Sequence, residues 1–197
     1  ANAGTGSGYW CIISSCTSTG DIGKDCGGIV GKDCASMSGK CDISDCTSIG
    51  YIGENAGGFV GVYTCFKSDN GCNITNCNST GEIDGEGAGG IAGKYVSYLG
   101  SCTITDCSSV GNITGDGAGG IVGMTAGYQG KMSIIDCISY GDISGTLAGG
   151  IVGSNAGGDL SNRDKSWIFT DISSSHSLGI TMNNSSYAIV GEDNHPY

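Results

Sequence analysis

"GDGAGGIVG" occupies residues 115–123, and close copies of it stand at residues 24–31 ("KDCGGIVG"), 54–61 ("ENAGGFVG"), 85–93 ("GEGAGGIAG") and 145–153 ("GTLAGGIVG"). Each copy closes a longer unit: "CIISSCTSTGDIGKDCGGIVG" from Cys11, "CDISDCTSIGYIGENAGGFVG" from Cys41, "CNITNCNSTGEIDGEGAGGIAG" from Cys72, "CTITDCSSVGNITGDGAGGIVG" from Cys102 and "MSIIDCISYGDISGTLAGGIVG" from Met132. The unit starts lie 30 or 31 residues apart. A constant period in that range marks a stack of identical units, each unable to bury its apolar face alone.

Within a unit, fixed positions form columns. Two hold isoleucine: Ile13, Ile43, Ile74, Ile104 and Ile134, then Ile22, Ile52, Ile83, Ile113 and Ile143. Between them runs a serine column, Ser18, Ser48, Ser79, Ser109 and Ser139. The spacing is period-2 with no 3.6-residue stripe, which predicts two or three short strands per unit, turned by Gly, Asn, Asp and Ser. Stacked units would pile like residues about 4.7–4.9 Å apart, the spacing of neighbouring strands. The expected fold is therefore all-β: a right-handed parallel β-solenoid (β-helix) of about 30 residues per coil.

The "AGGIVG" segment is expected to be one strand per coil, with its Ile and Val on opposite faces. Its glycines would supply a positive φ or admit a neighbouring wall. A phosphate-cradling loop would need a following helix and usually a lysine, and neither recurs. Residues 1–10 read as a lead-in, 11–153 as five coils, and 154–197 as a degenerate last coil and cap. In that last part "DISSSHSLG" and "SSYAIVG" echo the unit without its cysteines. Trp10 and Trp167 flank the regular region.

Composition narrows the function. The 197 residues include 39 glycines and a single proline, Pro196, which suits a backbone committed to sheet ladders. The net charge is −11 and Arg163 is the only arginine, so nucleic acid and anionic lipid are poor partners. No apolar run is long enough to span a membrane. The opening "ANAGTGSGYW" is read as the start of a mature chain.

The phrases "AGGIVG", "NAGG" and "ITDCSSVGNITG" resemble the GLUG repeat over residues 11–153, five times at a matching period. That resemblance implies a β-solenoid in a secreted or surface-attached, adhesin-like protein, with no catalytic residue belonging to the repeat.

Twelve cysteines point to an oxidising, extracellular compartment. If a corner lies inside "CIISSC" and its copies, bonds within coils are expected: Cys11–Cys16, Cys41–Cys46, Cys72–Cys77 and Cys102–Cys107, with Cys34–Cys65 as a clasp between coils. Cys26 and Cys137 are left over, as buried thiols or links between chains. A zinc site lacks the usual CxxC spacing, and the histidines stand only at 176 and 195.

The carboxylate columns Asp45/Asp106/Asp136 and Asp21/Glu82/Asp142 recur coil after coil, which reads as turn chemistry rather than one catalytic pair. Calcium could use Glu82, Asp84, Glu86 and Asp116. Residues flanking the serine column, including Thr17, Thr19, Thr47 and Thr80, form a candidate ligand face. Asn73, Asn78, Asn112, Asn183 and Asn184 stand in glycosylation sequons. The expected role is non-enzymatic: a surface-adhesion or self-assembling extracellular module whose partners are itself or surface glycans. An ice-binding protein and a carbohydrate-binding or polysaccharide-cleaving β-helix are the alternatives.

Overall fold

In the computed structural model, residues 9–157, 171–173 and 175–178 are described. Every strand pairs in parallel with the strand one coil away. The first sheet holds β1 (Trp10–Ser14), β3 (Lys40–Ser44), β5 (Cys72–Thr75), β7 (Ser101–Thr105), β9 (Lys131–Ile135) and β11 (Asp171–Ser173) in that order. The second holds β2 (Thr17–Ser18), β4 (Thr47–Ser48), β6 (Asn78–Ser79), β8 (Ser108–Ser109), β10 (Ile138–Ser139) and β12 (His176–Ser177). The chain is an all-β parallel β-solenoid, and no helix occurs among the described residues.

Register follows the repeat residue for residue. Ile13, Ile43, Ile74, Ile104 and Ile134 face one another, and Ile172 continues the column. Isolated parallel bridges stack Ile22 through Ile52, Ile83 and Ile113 to Ile143. From Ile43 to Ile134, and from Ile22 to Ile143, the columns are almost completely buried. The second column packs with Ala56, Ala88, Ala118 and Ala148 in a small cluster of its own, beside the larger core that contains the first.

Two residues separate the two sheets in each coil, and the first of them is a left-handed corner. Ser15, Asp45, Asn76, Asp106 and Asp136 all take φ between 52° and 55°. A short polar side chain tolerates the left-handed region better than a branched or bulky one does. The acidic column read from the sequence is thus built into the turn.

The glycine phrase differs from its expected form. Ile91 and Ala92 are both fully buried, as are Ile121 and Val122. The amides of Ile91 and Ala92 both donate to the Ile121 carbonyl, at 2.9 and 3.1 Å. Two successive amides pointing the same way make a bend, not a strand, so both side chains enter the core. Close approach, not positive φ, accounts for the second glycine of the pair. A β-carbon on Gly90 would overlap the Gly120 carbonyl and the Ser109 side chain, and one on Gly120 would overlap the Gly150 carbonyl and Ser139. Ser48, Ser79, Ser109 and Ser139 are fully buried, and their hydroxyls find no hydrogen-bond partner among the described residues. Serine is small enough to press against the backbone of the opposite wall, and glycine there leaves it room.

The lead-in residues 1–8, Trp167 and most of the expected cap lie outside the described residues.

Gly90→Ala is expected to lower the urea midpoint, with a loss of about 1–3 kcal/mol typical of overpacking. Gly23 has nothing within 4 Å of an added β-carbon. Gly23→Ala is expected to stay within about 0.5 kcal/mol of the parent. Equal effects for the two would contradict the wall-to-wall contact.

Candidate functional site

The cysteines segregate into columns at two different sheets, a division that the coil spacing did not reveal. Cys11, Cys41, Cys72 and Cys102 stand in register on the first sheet, and Met132 continues the column. Cys16, Cys46, Cys77, Cys107 and Cys137 form another at the start of the second sheet. Each of the five donates to the carbonyl two residues earlier, at 3.1–3.4 Å.

All twelve cysteines are free thiols. The expected bonds Cys11–Cys16, Cys41–Cys46, Cys72–Cys77 and Cys102–Cys107 are therefore not formed, and neither is the Cys34–Cys65 clasp. The two cysteines of a unit belong to different sheets, and each meets sulfurs of the adjacent coils instead. Of the two left over, Cys137 is buried in the second column, whereas Cys26 is exposed.

One group of sulfurs converges. Cys34 comes from the connection between the first and second coils, Cys41 from β3 and Cys72 from β5. All three are buried, and their sulfurs lie within 4.8 Å of one another, with Cys34 and Cys72 4.0 Å apart. No other three metal-ligating side chains among the described residues approach so closely. Contacts with Cys41 and Cys72, together with desolvation, push the Cys34 thiol up. Donation from Cys34 and then Cys72 pulls Cys41 down.

The acidic residues do not converge. Glu82, Asp84, Glu86 and Asp116 are exposed and do not gather three oxygens as a calcium site would. Asp84 accepts from the hydroxyls of Tyr51 and Thr114, both at 2.5 Å. Asp21 and Asp116 accept from the amides of Tyr51 and Thr146 one coil away, at 3.3 and 2.9 Å. The amide of Asp142 donates to Asn112 at 3.2 Å. Asp45 accepts from Asn76 at 2.7 Å. These carboxylates tie coil to coil.

The flanking threonines are outward-facing. Thr17, Thr19 and Thr80 are exposed and Thr47 is half-buried. The column through Thr17 and Thr47 continues as Asn78, Ser108 and Ile138, so the hydroxyl array is broken at the third coil and again at the fifth. Asn73 donates to Asp42 at 2.8 Å, and Asn78 accepts from Ser108 at 2.8 Å. Asn73 and Asn112 are exposed, whereas Asn78 is half-buried. His176 is exposed on β12. Asn183, Asn184 and His195 lie outside the described residues.

An aromatic surface feature was missed by sequence reasoning. Between the Gly-Ile-Val-Gly corner and the next first-sheet strand, each coil carries a connecting arm. Its alternate residues are left-handed: Tyr63, Cys65 and Lys67 at φ 58°, 61° and 51°, and Tyr95, Ser97 and Leu99 at 58°, 60° and 54°. Stacked arms align their rings. Tyr63 and Tyr95 lie parallel with centroids 5.0 Å apart, and Tyr98 and Tyr128 lie parallel at 4.7 Å. Tyr98 meets Tyr95 edge-on at 5.9 Å.

Asp33, Tyr63, Phe66, Lys67, Tyr95 and Tyr98 are among the residues that line an open groove of about 560 Å³ here. Lys67 and Lys94 hold their ammonium groups 5.1 and 5.2 Å from the rings of Phe66 and Tyr95. The signal lay in "VYTCFK", "KYVSYLG" and "AGYQG", where aromatics recur at the repeat period outside the conspicuous units.

No protein-family model, no curated protein and no solved structure matches this chain.

The Thr114 and then Tyr51 hydroxyls hold the Asp84 carboxyl below the usual carboxylate range. Its contribution to stability is thus present above the unfolded-state pKa and is lost as pH falls through the lower folded value. Thr114→Val and Tyr51→Phe are each expected to raise the Asp84 pKa towards the ordinary aspartate value in an NMR titration. An unmoved pKa in both variants would contradict the two bonds.

Proposed function

We propose that this chain is a secreted, non-enzymatic structural repeat module that adheres to surface glycans through the groove lined by Tyr63 and Tyr98. The observation that carries this reading is the groove itself: aromatic edges and phenol hydroxyls from successive coils, with Asp33 and Lys67 at its border. A sugar ring presents C–H groups on its faces and hydroxyls around its rim. Aromatic side chains with a polar tip meet both at low conformational cost. Burial raises the Tyr63 phenol, which keeps its hydroxyl protonated as a donor. The net charge of −11 favours neutral glycans over sulfated or uronic ones. Secretion rests on the resemblance to the GLUG repeat and not on disulfide bonds.

A second reading, end-to-end assembly, is favoured by the first rung. Among the described residues β1 pairs with β3 alone, and Cys11, Ile13 and Cys16 are half-buried where later coils bury the same columns. An exposed parallel edge is a template for strand addition. The ice-binding alternative needs a regular hydroxyl array, and the rungs after Thr47 lose it.

Affinity electrophoresis of the full chain through gels containing neutral polysaccharides tests the glycan reading. Retardation is expected, with Tyr98→Ala weakening it at least about tenfold, the scale of one buried aromatic anchor, and Thr17→Ala leaving it unchanged. Mobility unaffected by every polysaccharide, or retardation indifferent to Tyr98→Ala, would sink the proposal. Concentration-dependent growth in sedimentation would instead support assembly.

A further inference from the structure

We infer that Cys34, Cys41 and Cys72 form a buried three-sulfur site for a soft, singly charged metal ion, with Cu(I) as the fitting occupant. Cys41 and Cys72 are register neighbours on β3 and β5, and Cys34 reaches them from the connecting arm. Three sulfurs each about 2.3 Å from a central ion sit about 4.0 Å apart in a planar triangle, and closer in a tetrahedron. The Cys34–Cys72 separation is 4.0 Å, and the longest of the three is within 4.8 Å. A small side-chain movement closes the triangle.

The donor set selects the metal. Three sulfurs with no imidazole or carboxylate in the group suit a soft ion, whereas structural zinc takes four ligands in a tetrahedron. Cys11 touches Cys41 and Cys65 touches Cys72, but neither joins the group in which all sulfurs are mutually close. A disulfide between register neighbours is disfavoured, because stacked strands hold β-carbons about 4.7–4.9 Å apart where a bridge needs about 3.8 Å.

The repeat shows that this cluster is not required for packing. Along the arm, the position of Cys34 becomes Thr64, then Val96, then Ala126, all fully buried. The strand column changes from Cys102 to Met132 over the same coils. Later coils therefore fill the space of Cys34 with small or branched residues that carry no sulfur, and the sulfurs concentrate where three can meet. The other sulfur column is different in kind, since its thiols are already donating to backbone carbonyls. The Cys34, Cys41 and Cys72 thiols turn to one another. Thiolates rather than thiols ligate a metal, so uptake by three sulfurs releases their protons and affinity falls on acidification.

The test is an anaerobic titration of the full chain with Cu(I) against a chromogenic Cu(I) chelator, with the ion added both during refolding and to folded protein. One equivalent is expected to resist the chelator. Cys34→Ser, Cys41→Ser and Cys72→Ser should each weaken binding by more than about 100-fold, beyond the range of an outer-shell change, while Cys26→Ser leaves it unchanged. Because a core variant can fail to fold, X-ray absorption of the loaded parent chain gives an independent reading, with three sulfurs at about 2.3 Å expected. A two-coordinate or mixed-ligand spectrum, uptake indifferent to Cys34→Ser, or these sulfurs recovered in disulfides from the purified chain would overturn the site.

Discussion

The hydrogen bonds between one coil and the next hold this molecule together, and everything else is arranged around them. Amides reach carbonyls about thirty residues away on every wall: Asn78 to Cys46 at 3.0 Å, Ile83 to Asn112 at 2.8 Å, Gly89 to Ala56 at 2.9 Å. Each peptide group is satisfied only if its neighbouring coil keeps the same path, because a buried unpaired backbone group is costly. A shift of one residue in any coil would move the isoleucines off their column and leave those groups unpaired. The period of the sequence is the chemical record of that requirement.

Once coils superpose, residues interact as columns, and the columns constrain one another across the core. The serine column determines what its opposite wall can be: at Gly58, Gly90 and Gly120 an added β-carbon would press on Ser79, Ser109 and Ser139. On the outside, amides and carboxylates lace adjacent coils, as Asn55 donates to Asp25 at 2.9 Å and Lys24 pairs with Glu54 at 2.6 Å. Exposed pairs of this kind add little individually. They do explain why acids recur along a column without forming a site.

Chemical individuality appears where the columns stop repeating. The tyrosine groove comes from arms whose residues vary from coil to coil, and the sulfur triangle from the one arm that sets a cysteine, Cys34, against the cysteine column of the first sheet. A solenoid of perfect copies would present the same face at every rung. Departures at Tyr63, Tyr98, Cys34 and Met132 make one stretch of it different from the next.

The repeat phrase determined the parallel architecture, the two isoleucine columns and the corner acids, because each depends only on like residues meeting at a constant period. The same spacing could not decide where the two cysteines of "CDISDC" point. That depends on a left-handed corner at Asp45, which sends Cys41 and Cys46 to different sheets. Nor could spacing show that the amides of Ile91 and Ala92 turn the same way, or that Cys34 reaches Cys72 across 38 positions. Periodicity specifies which residues stack along the axis. Only the folded cross-section of a coil decides which columns face each other across it, since that follows from backbone angles at a few corners that no repeat pattern encodes.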